Sequence, residues 1–320
     1  MDGLLVIDKP SGPSSHEVVA RVRRALGEQR IGHTGTLDPA ATGVLPLVIG
    51  RATRLARFLS ASDKSYEAVV RLGTATDTYD GAGTPAGPSY PGALPPREAV
   101  DRALDTFRGT FLQQPPAYSA KKIGGRRSYS LARAAARSAG DGIQRSSTDA
   151  GALPTPVSVT THSLVLVSVE GDRVTLNVSC SAGFYVRALA HDLGVRLGIG
   201  AHLLALRRTR SGDATLDLAL QLDAIEREPA LAIRAIVPLS RMLPGLSSVT
   251  LTSDGVRRAA HGRDLGPADT EEGIGSLFPG GSPEKTPDPF FRLLDPAGDL
   301  VAIGTPAGVP GLLHPAVVLV

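Results

Sequence analysis

Residues 32 to 43 read Gly-His-Thr-Gly-Thr-Leu-Asp-Pro-Ala-Ala-Thr-Gly. Three of the glycines and a proline surround one acid, Asp38. Glycine permits positive φ and close approach of a ligand, and proline fixes φ and removes a donor. The stretch therefore predicts a rigid loop that holds one carboxylate at a fixed angle in a cleft. Val44 to Ile49 are nearly all apolar and are bounded by Gly43 and Gly50, which predicts a buried strand anchoring that loop. Asp-Pro is also common in ordinary turns. The loop alone thus carries two readings, a structural turn and a site.

Local signals lay out the rest of the chain. Ser14 and Glu17 have capping-box spacing, Val18, Val22, Ala25 and Leu26 share one helical face, and Gly27 is a stop signal. Leu55, Phe58 and Leu59 mark a short second helix. Tyr66, Ala68, Val70 and Leu72 alternate with more polar neighbours as a strand does. Residues 81 to 96 are rich in Gly and Pro and predict an exposed loop, and Ala99 to Phe107 a helix. Leu164 to Val169 and Val174 to Cys180 predict a hairpin joined through Gly171-Asp172. Val186, Leu189, Ala190, Leu193 and Leu197 lie at helical spacing, which puts Arg187 in a first helical turn. Leu203 to Arg210 is a further strand. After about residue 245 the pattern becomes strand-rich: Val249 to Leu251, Phe291 to Leu294, Leu300 to Ile303 and Val317 to Val320, with a short helix at Asp254 to Ala260. This predicts a small β-barrel.

The net charge is only +3, but the cations are clustered. From Phe111 to Gly140 there is no acid, while Lys121, Lys122, Arg126, Arg127, Arg133 and Arg137 fall in that stretch. Arg207, Arg208 and Arg210 form a second cluster, and Arg21, Arg23 and Arg24 a third. A solvated face explains any one of them. Three clusters on a near-neutral chain favour an extended polyanion, whose counterions are released on binding. A hydrophobic content of 42% and a charged content of 20% are those of a globular protein. No apolar run is long enough to span a membrane, and the N-terminus lacks the pattern of a signal peptide. With a single cysteine, Cys180, these features predict a cytoplasmic protein.

Residue order adds a resemblance. Gly32-His33-Thr34-Gly35-Thr36-Leu37-Asp38-Pro39, followed by Ala41-Thr42-Gly43-Val44-Leu45-Pro46, closely resembles the catalytic motif of the TruB family of bacterial tRNA pseudouridine synthases. Further matches follow the family's order: Lys9 to Ser15, Asp63 to Tyr66, Arg71 to Gly73 with Thr76 to Thr78, Tyr118 to Lys122, Cys180 to Arg187, and Gly200 to His202 with Leu206 to Arg208. The resemblance implies an α+β fold with a mixed or antiparallel central sheet, flanking helices and an RNA-binding cleft. It implies a catalytic domain over residues 1–244, with a mobile basic insertion at about 117–156, and a small C-terminal PUA-like RNA-binding domain over 245–320. The implied reaction isomerises the uridine at position 55 in the T loop of tRNA, with base flipping. Being an isomerisation, it calls for no cofactor, redox partner, ATP or metal, and no protein partner.

The resemblance also implies roles for single residues. Asp38 is the catalytic carboxylate, which attacks the anomeric carbon or the base, or takes a ribose proton. Arg187 is its cationic partner, and Tyr66 is the active-site tyrosine, which stacks on the base or transfers a proton. His33 fills the space left by the flipped nucleotide. Leu206 and Tyr185 line the pocket, and Asp80 joins the polar network. Lys9 and Arg54 match basic positions near the RNA or the active-site loop. Lys121, Lys122, Arg126, Arg127, Arg207 and Arg208 are candidates for the RNA backbone. Three rival readings remain: a catalytically silent RNA-binding protein, a synthase with another RNA target, and a metal-dependent hydrolase built on His191-Asp192. The last is disfavoured, because no second His/Asp cluster has metal-ligand spacing.

Overall fold

The computed structural model describes residues 1–117, 122–123, 126–127, 154–273 and 290–320. Lys121, Arg133, Arg137, most of the expected insertion and residues 274–289 lie outside the described residues. In chain order the elements are β1 (Gly3–Lys9), α1 (Ser15–Leu26), β2 (Ile31–His33), β3 (Thr42–Ile49), α2 (Ala56–Ser60), β4 (Lys64–Leu72), α3 (Arg97–Leu104), β5 (Gly109–Gln113), β6 (Lys122–Ile123), β7 (Arg126–Arg127), β8 (Val157–Glu170), β9 (Arg173–Cys180), α4 (Val186–Leu197), β10 (Ala201–Ser211), β11 (Ala214–Thr215), β12 (Leu220–Gln221), α5 (Leu222–Arg227), α6 (Pro229–Ala235), β13 (Val237–Pro238), β14 (Ser248–Thr250), α7 (Ser253–Ala260), β15 (Phe291–Leu294), β16 (Leu300–Pro306) and β17 (Leu313–Val318). The chain forms two compact units.

The first unit comprises Met1–Pro39, Val44–Ser60 and Asp213–Val320. Leu5, Val6 and Ile7 of β1 are all but inaccessible to solvent. Such a run, apolar on both faces, is the signature of a strand covered on both sides. β1 pairs in parallel with β12 and antiparallel with β13, and β2 pairs antiparallel with β3 at Ile31–Ile49 and His33–Leu47. Helix α1 begins at the predicted capping box. The Ser14 amide donates to Glu17 Oε2 at 2.6 Å, and the Glu17 amide donates to Ser14 Oγ at 3.2 Å. Gly27 ends the helix in the left-handed conformation, at φ 64°.

The C-terminal strands of this unit form a sheet of order β14-β15-β16-β17. The expected barrel is thus an open four-stranded sheet among the described residues. Val249, Leu251, Ala259, Leu293, Val301 and Leu313 make a core of their own. Leu300, Ile303 and Leu319 belong to a different core, in which they pack with Leu4, Val6, Val44, Val48 and Leu55. The two ends of the chain therefore share buried surface.

The second unit comprises Ala40–Gly43 and Ala61–Gly212. Its strands run β10-β4-β9-β8-β5, antiparallel throughout. The first residues of β3 add a parallel partner at the β10 edge, Thr42 opposite Arg207 and Gly43 opposite Arg208, so the sheet is mixed. Gly43 is at φ 97°, and a Cβ there would fall 2.2 Å from the Arg208 carbonyl oxygen, so only glycine fits. One face carries the core: Ala68, Val70 and Leu72 from β4, Leu176 and Val178 from β9, Leu189 and Leu193 from α4, and Leu104 from α3. β8 begins at Val157 and not at Leu164, because Val157 to Thr161 pair with β5. Register shifts at Thr161/Ser163 and Leu166/Ser168 break the alternation there. Beyond β5, the open edge of β8 is covered by arginines. Arg97 donates to the carbonyls of Leu166 (2.7 Å) and Val167 (3.1 Å), and Arg108 to that of Leu164 (3.3 Å). Satisfying edge carbonyls in this way blocks pairing with another strand.

Candidate active site

In the first unit, Asp38 sits half-buried on the loop that leaves β2. Its neighbours Leu37 and Pro39 are held through their backbone by the end of β1 and the segment that opens helix α1. The Ser15 hydroxyl donates to the Leu37 carbonyl (3.0 Å) and accepts from the Leu37 amide (2.9 Å). The Lys9 ammonium donates to the carbonyls of Pro39 (3.0 Å) and Pro10 (2.9 Å), and the Gly12 amide also donates to Pro39 (2.9 Å). Ser15 and Lys9 are essentially inaccessible to solvent. An ammonium is buried at a cost of several kcal/mol unless strong acceptors surround it. Here carbonyl oxygens meet it, and the Asp38 loop is fixed in return. Of the two places expected for Lys9, near the RNA or at the active-site loop, these bonds are with the loop.

His33 ends β2, and its ring meets that of His16 edge to face at 5.1 Å. Arg54 is exposed, and its guanidinium donates to the Val318 carbonyl.

In the second unit, Tyr66 on β4 stands opposite Arg208 on β10. Arg208 is only 1% exposed, and its guanidinium donates to the Tyr66 hydroxyl. Burial pulls its pKa down, and the tyrosine oxygen opposes that shift. This overturns the expectation that Arg208 contacts the RNA backbone: charge alone gives no sign of which strand face a residue occupies. Lys64 lies two residues before Tyr66, buried, and donates to the Ser62 carbonyl. Burial, and secondarily the Arg208 charge, push its pKa down to about 8. Leu206 stands opposite Ala68 and, like Tyr66, packs against the core while partly exposed. Arg207, partly exposed, stands between Glu67 and Thr42.

Arg187 lies in the first turn of α4 and is buried. Its Nη1 donates to the Thr78 carbonyl at 3.1 Å and lies 3.5 Å from Asp80 Oδ2. Asp80 is fixed through Oδ1, which accepts from the Thr78 hydroxyl (2.6 Å) and the Ala82 amide (3.1 Å). Within its own unit, then, the carboxylate partner of Arg187 is Asp80. Tyr185 precedes α4, and its backbone is clamped by the fully buried Gln113. That side chain donates to the Tyr185 carbonyl (3.0 Å) and accepts from its amide (2.8 Å). Lys122 and Arg126-Arg127 lie on the β6–β7 pair, with Lys122 opposite Arg127.

The structure thus brings together Tyr66 with Arg208, and Arg187 with Asp80. Ser15, Gln113, Tyr79 and His191 enter this architecture without having been singled out for it by the sequence. Ser15 ends the matching string from Lys9, which gives it no role, and nothing local marks Gln113, because its partner is distant in the chain. Among the described residues, no group of three or more His, Cys, Asp or Glu side chains could hold a metal ion. No described helix is long and apolar enough to cross a membrane.

Comparison with known proteins agrees over most of the chain. Residues 23–186 match the model of the TruB family pseudouridylate synthase N-terminal domain, and residues 187–243 that of the tRNA pseudouridylate synthase B C-terminal domain. The chain is 43% identical to tRNA pseudouridine synthase B of Solibacter usitatus, covering 100% of both chains. It is 40% identical to the protein of the same name from Geobacter sulfurreducens, covering 88% of each. Its fold is similar to a chain in the crystal structure of a Cbf5–Nop10–Gar1 complex, with a TM-score of 0.67 and 27% identity, covering 95% of this chain and 78% of that one. The α+β architecture is accordingly a pseudouridine synthase fold. With a rigidly held aspartate at the heart of its family motif, the chain belongs to the TruB family of tRNA pseudouridine synthases, which isomerise uridine to pseudouridine in tRNA.

Proposed function

We propose that this enzyme acts on the uridine at position 55, in the T loop of tRNA, and that Asp38 is the catalytic carboxylate. The observation that carries the reading is the fixation of the backbone of Leu37 and Pro39, the neighbours of Asp38, by Ser15, Lys9 and Gly12. A carboxylate so held needs little reorganisation as bonds change. The reaction breaks the bond from ribose C1′ to N1 and forms one from C1′ to C5. C5 loses its proton and N1 gains one, so atoms and electrons balance without a co-reactant. Asp38 serves this exchange by bonding to C1′, by adding to the base, or by taking a ribose proton.

In this reading Tyr66 stacks on the flipped base, and its hydrogen bond from Arg208 fixes the ring. Arg187 supplies positive charge near the reacting groups, held by Asp80. Leu206 and Tyr185 give the pocket its apolar wall, and His33 occupies the place of the extruded nucleotide. Extrusion itself costs a few kcal/mol. Lys121, Lys122, Arg126, Arg127, Arg207 and Arg54 contact RNA phosphates, and residues 245–320 act as a PUA-like module on the acceptor end. The enzyme works in the cytoplasm and needs no protein partner.

An isolated T-arm hairpin carrying 5-tritiated uridine tests the proposal. The purified protein should release tritium from it, and release none when position 55 alone is cytidine. Equal release from both hairpins would assign the enzyme another target.

A further inference from the structure

The turn from Thr76 to Gly83 is joined to helix α4 at two points. One is the set of contacts that Arg187 makes with the Thr78 carbonyl and Asp80. The other is a ring stack: Tyr79 lies on His191 with centroids 3.8 Å apart and planes 12° from parallel. His191 follows Arg187 by one helical turn, so both side chains leave the same face of α4. Tyr79 is at φ 65°, a left-handed conformation in which an aromatic residue is unusual. Such conformations persist where surrounding contacts over-determine them. Here the Tyr79 carbonyl accepts from the Leu203 amide (2.9 Å), and the Thr76 hydroxyl donates to the Asp80 carbonyl (2.8 Å). His191 Nδ1 is buried and has no hydrogen-bond partner among the described residues. Burial pulls the pKa of its imidazole down, which favours the neutral ring. A histidine whose buried nitrogen is unused contributes its flat face.

We infer that Tyr79 and His191 are positioning residues for Arg187: their stack sets the turn against α4 and so fixes the direction in which Thr78 and Asp80 hold the guanidinium. The inference rests on the role given above to Arg187. Neither ring touches a reacting atom in this scheme. The Tyr79 hydroxyl is dispensable, and the ring is not.

Single-turnover rates and dissociation constants on the T-arm hairpin test this with Tyr79→Gly, Tyr79→Phe, His191→Leu, Arg187→Ala and the Tyr79→Gly/Arg187→Ala pair. Glycine removes the ring and is at ease at positive φ, so the turn keeps its path. His191→Leu removes the other plate without altering the turn backbone. Arg187→Ala should slow the chemical step by roughly 100-fold, as loss of a transition-state contact does. Tyr79→Gly and His191→Leu should each slow it by about 10-fold or more, with affinity within about threefold of wild type. Tyr79→Phe should stay within about twofold. The double variant should be no slower than Arg187→Ala alone, because residues acting through one group are not additive. Wild-type rates in Tyr79→Gly and His191→Leu beside a slow Arg187→Ala, or losses that multiply in the double variant, would overturn the positioning role alone. A wild-type rate in Arg187→Ala would instead remove the role of Arg187 on which it rests.

Discussion

Asp38→Asn is expected to lower the single-turnover rate of pseudouridine formation by roughly a thousandfold or more, within the range for loss of a catalytic nucleophile or base. The substitution keeps the size of the side chain and removes its negative charge. Ser15, Lys9 and Gly12 grip the backbone of Leu37 and Pro39 through bonds that do not use that charge. Thermal stability and affinity for tRNA should therefore stay close to wild type. Tritium release from 5-tritiated uridine, read beside a binding titration, separates the two effects. A variant that binds normally and turns over normally would remove Asp38 from the chemistry. A variant that fails to bind would give it a role in substrate recognition.

Truncation after Leu243 is expected to unfold the first unit. Leu300, Ile303 and Leu319 are buried in a core with Leu4, Val6, Val44 and Val48, so removing residues 244–320 uncovers it. Each large aliphatic side chain contributes about 1.5–3 kcal/mol on burial. The three together amount to roughly 5–9 kcal/mol. A domain has only about 5–15 kcal/mol in total. In the truncated chain the backbone amides of β1 and β3 should lose their protection from hydrogen exchange, while those of β4 and β9, in the second unit, keep theirs. Protection of β1 and β3 equal to that in the full chain would mean that residues 1–243 carry a sufficient core alone.

Features specified by neighbouring residues were legible in the sequence. The Ser14–Glu17 capping box and Gly27 define α1 within one residue, and the alternation of Ala68, Val70 and Leu72 gives the buried face of β4. The first half of β8 was not legible, because its partner β5 is remote and two register shifts interrupt the alternation. The core shared by Leu4 and Ile303 joins opposite ends of the chain, which no local window contains. At the site, the order of residues around Asp38 pointed to the acid and to the segment that holds it. Charge misled where burial decides. Arg208 looks like a phosphate contact in the sequence and is an internal cation in the fold. Gln113 and the Tyr79–His191 stack depend on tertiary partners and carry no motif of their own.

Conversion of one defined uridine of tRNA by means of Asp38 can be read at once by incubating unmodified full-length tRNA with the purified protein or with Asp38→Asn and mapping pseudouridine at every uridine. Pseudouridine is expected at position 55 alone with the wild-type protein, and none above background with the variant. Modification confined to other positions, or equal modification by the variant, would contradict it.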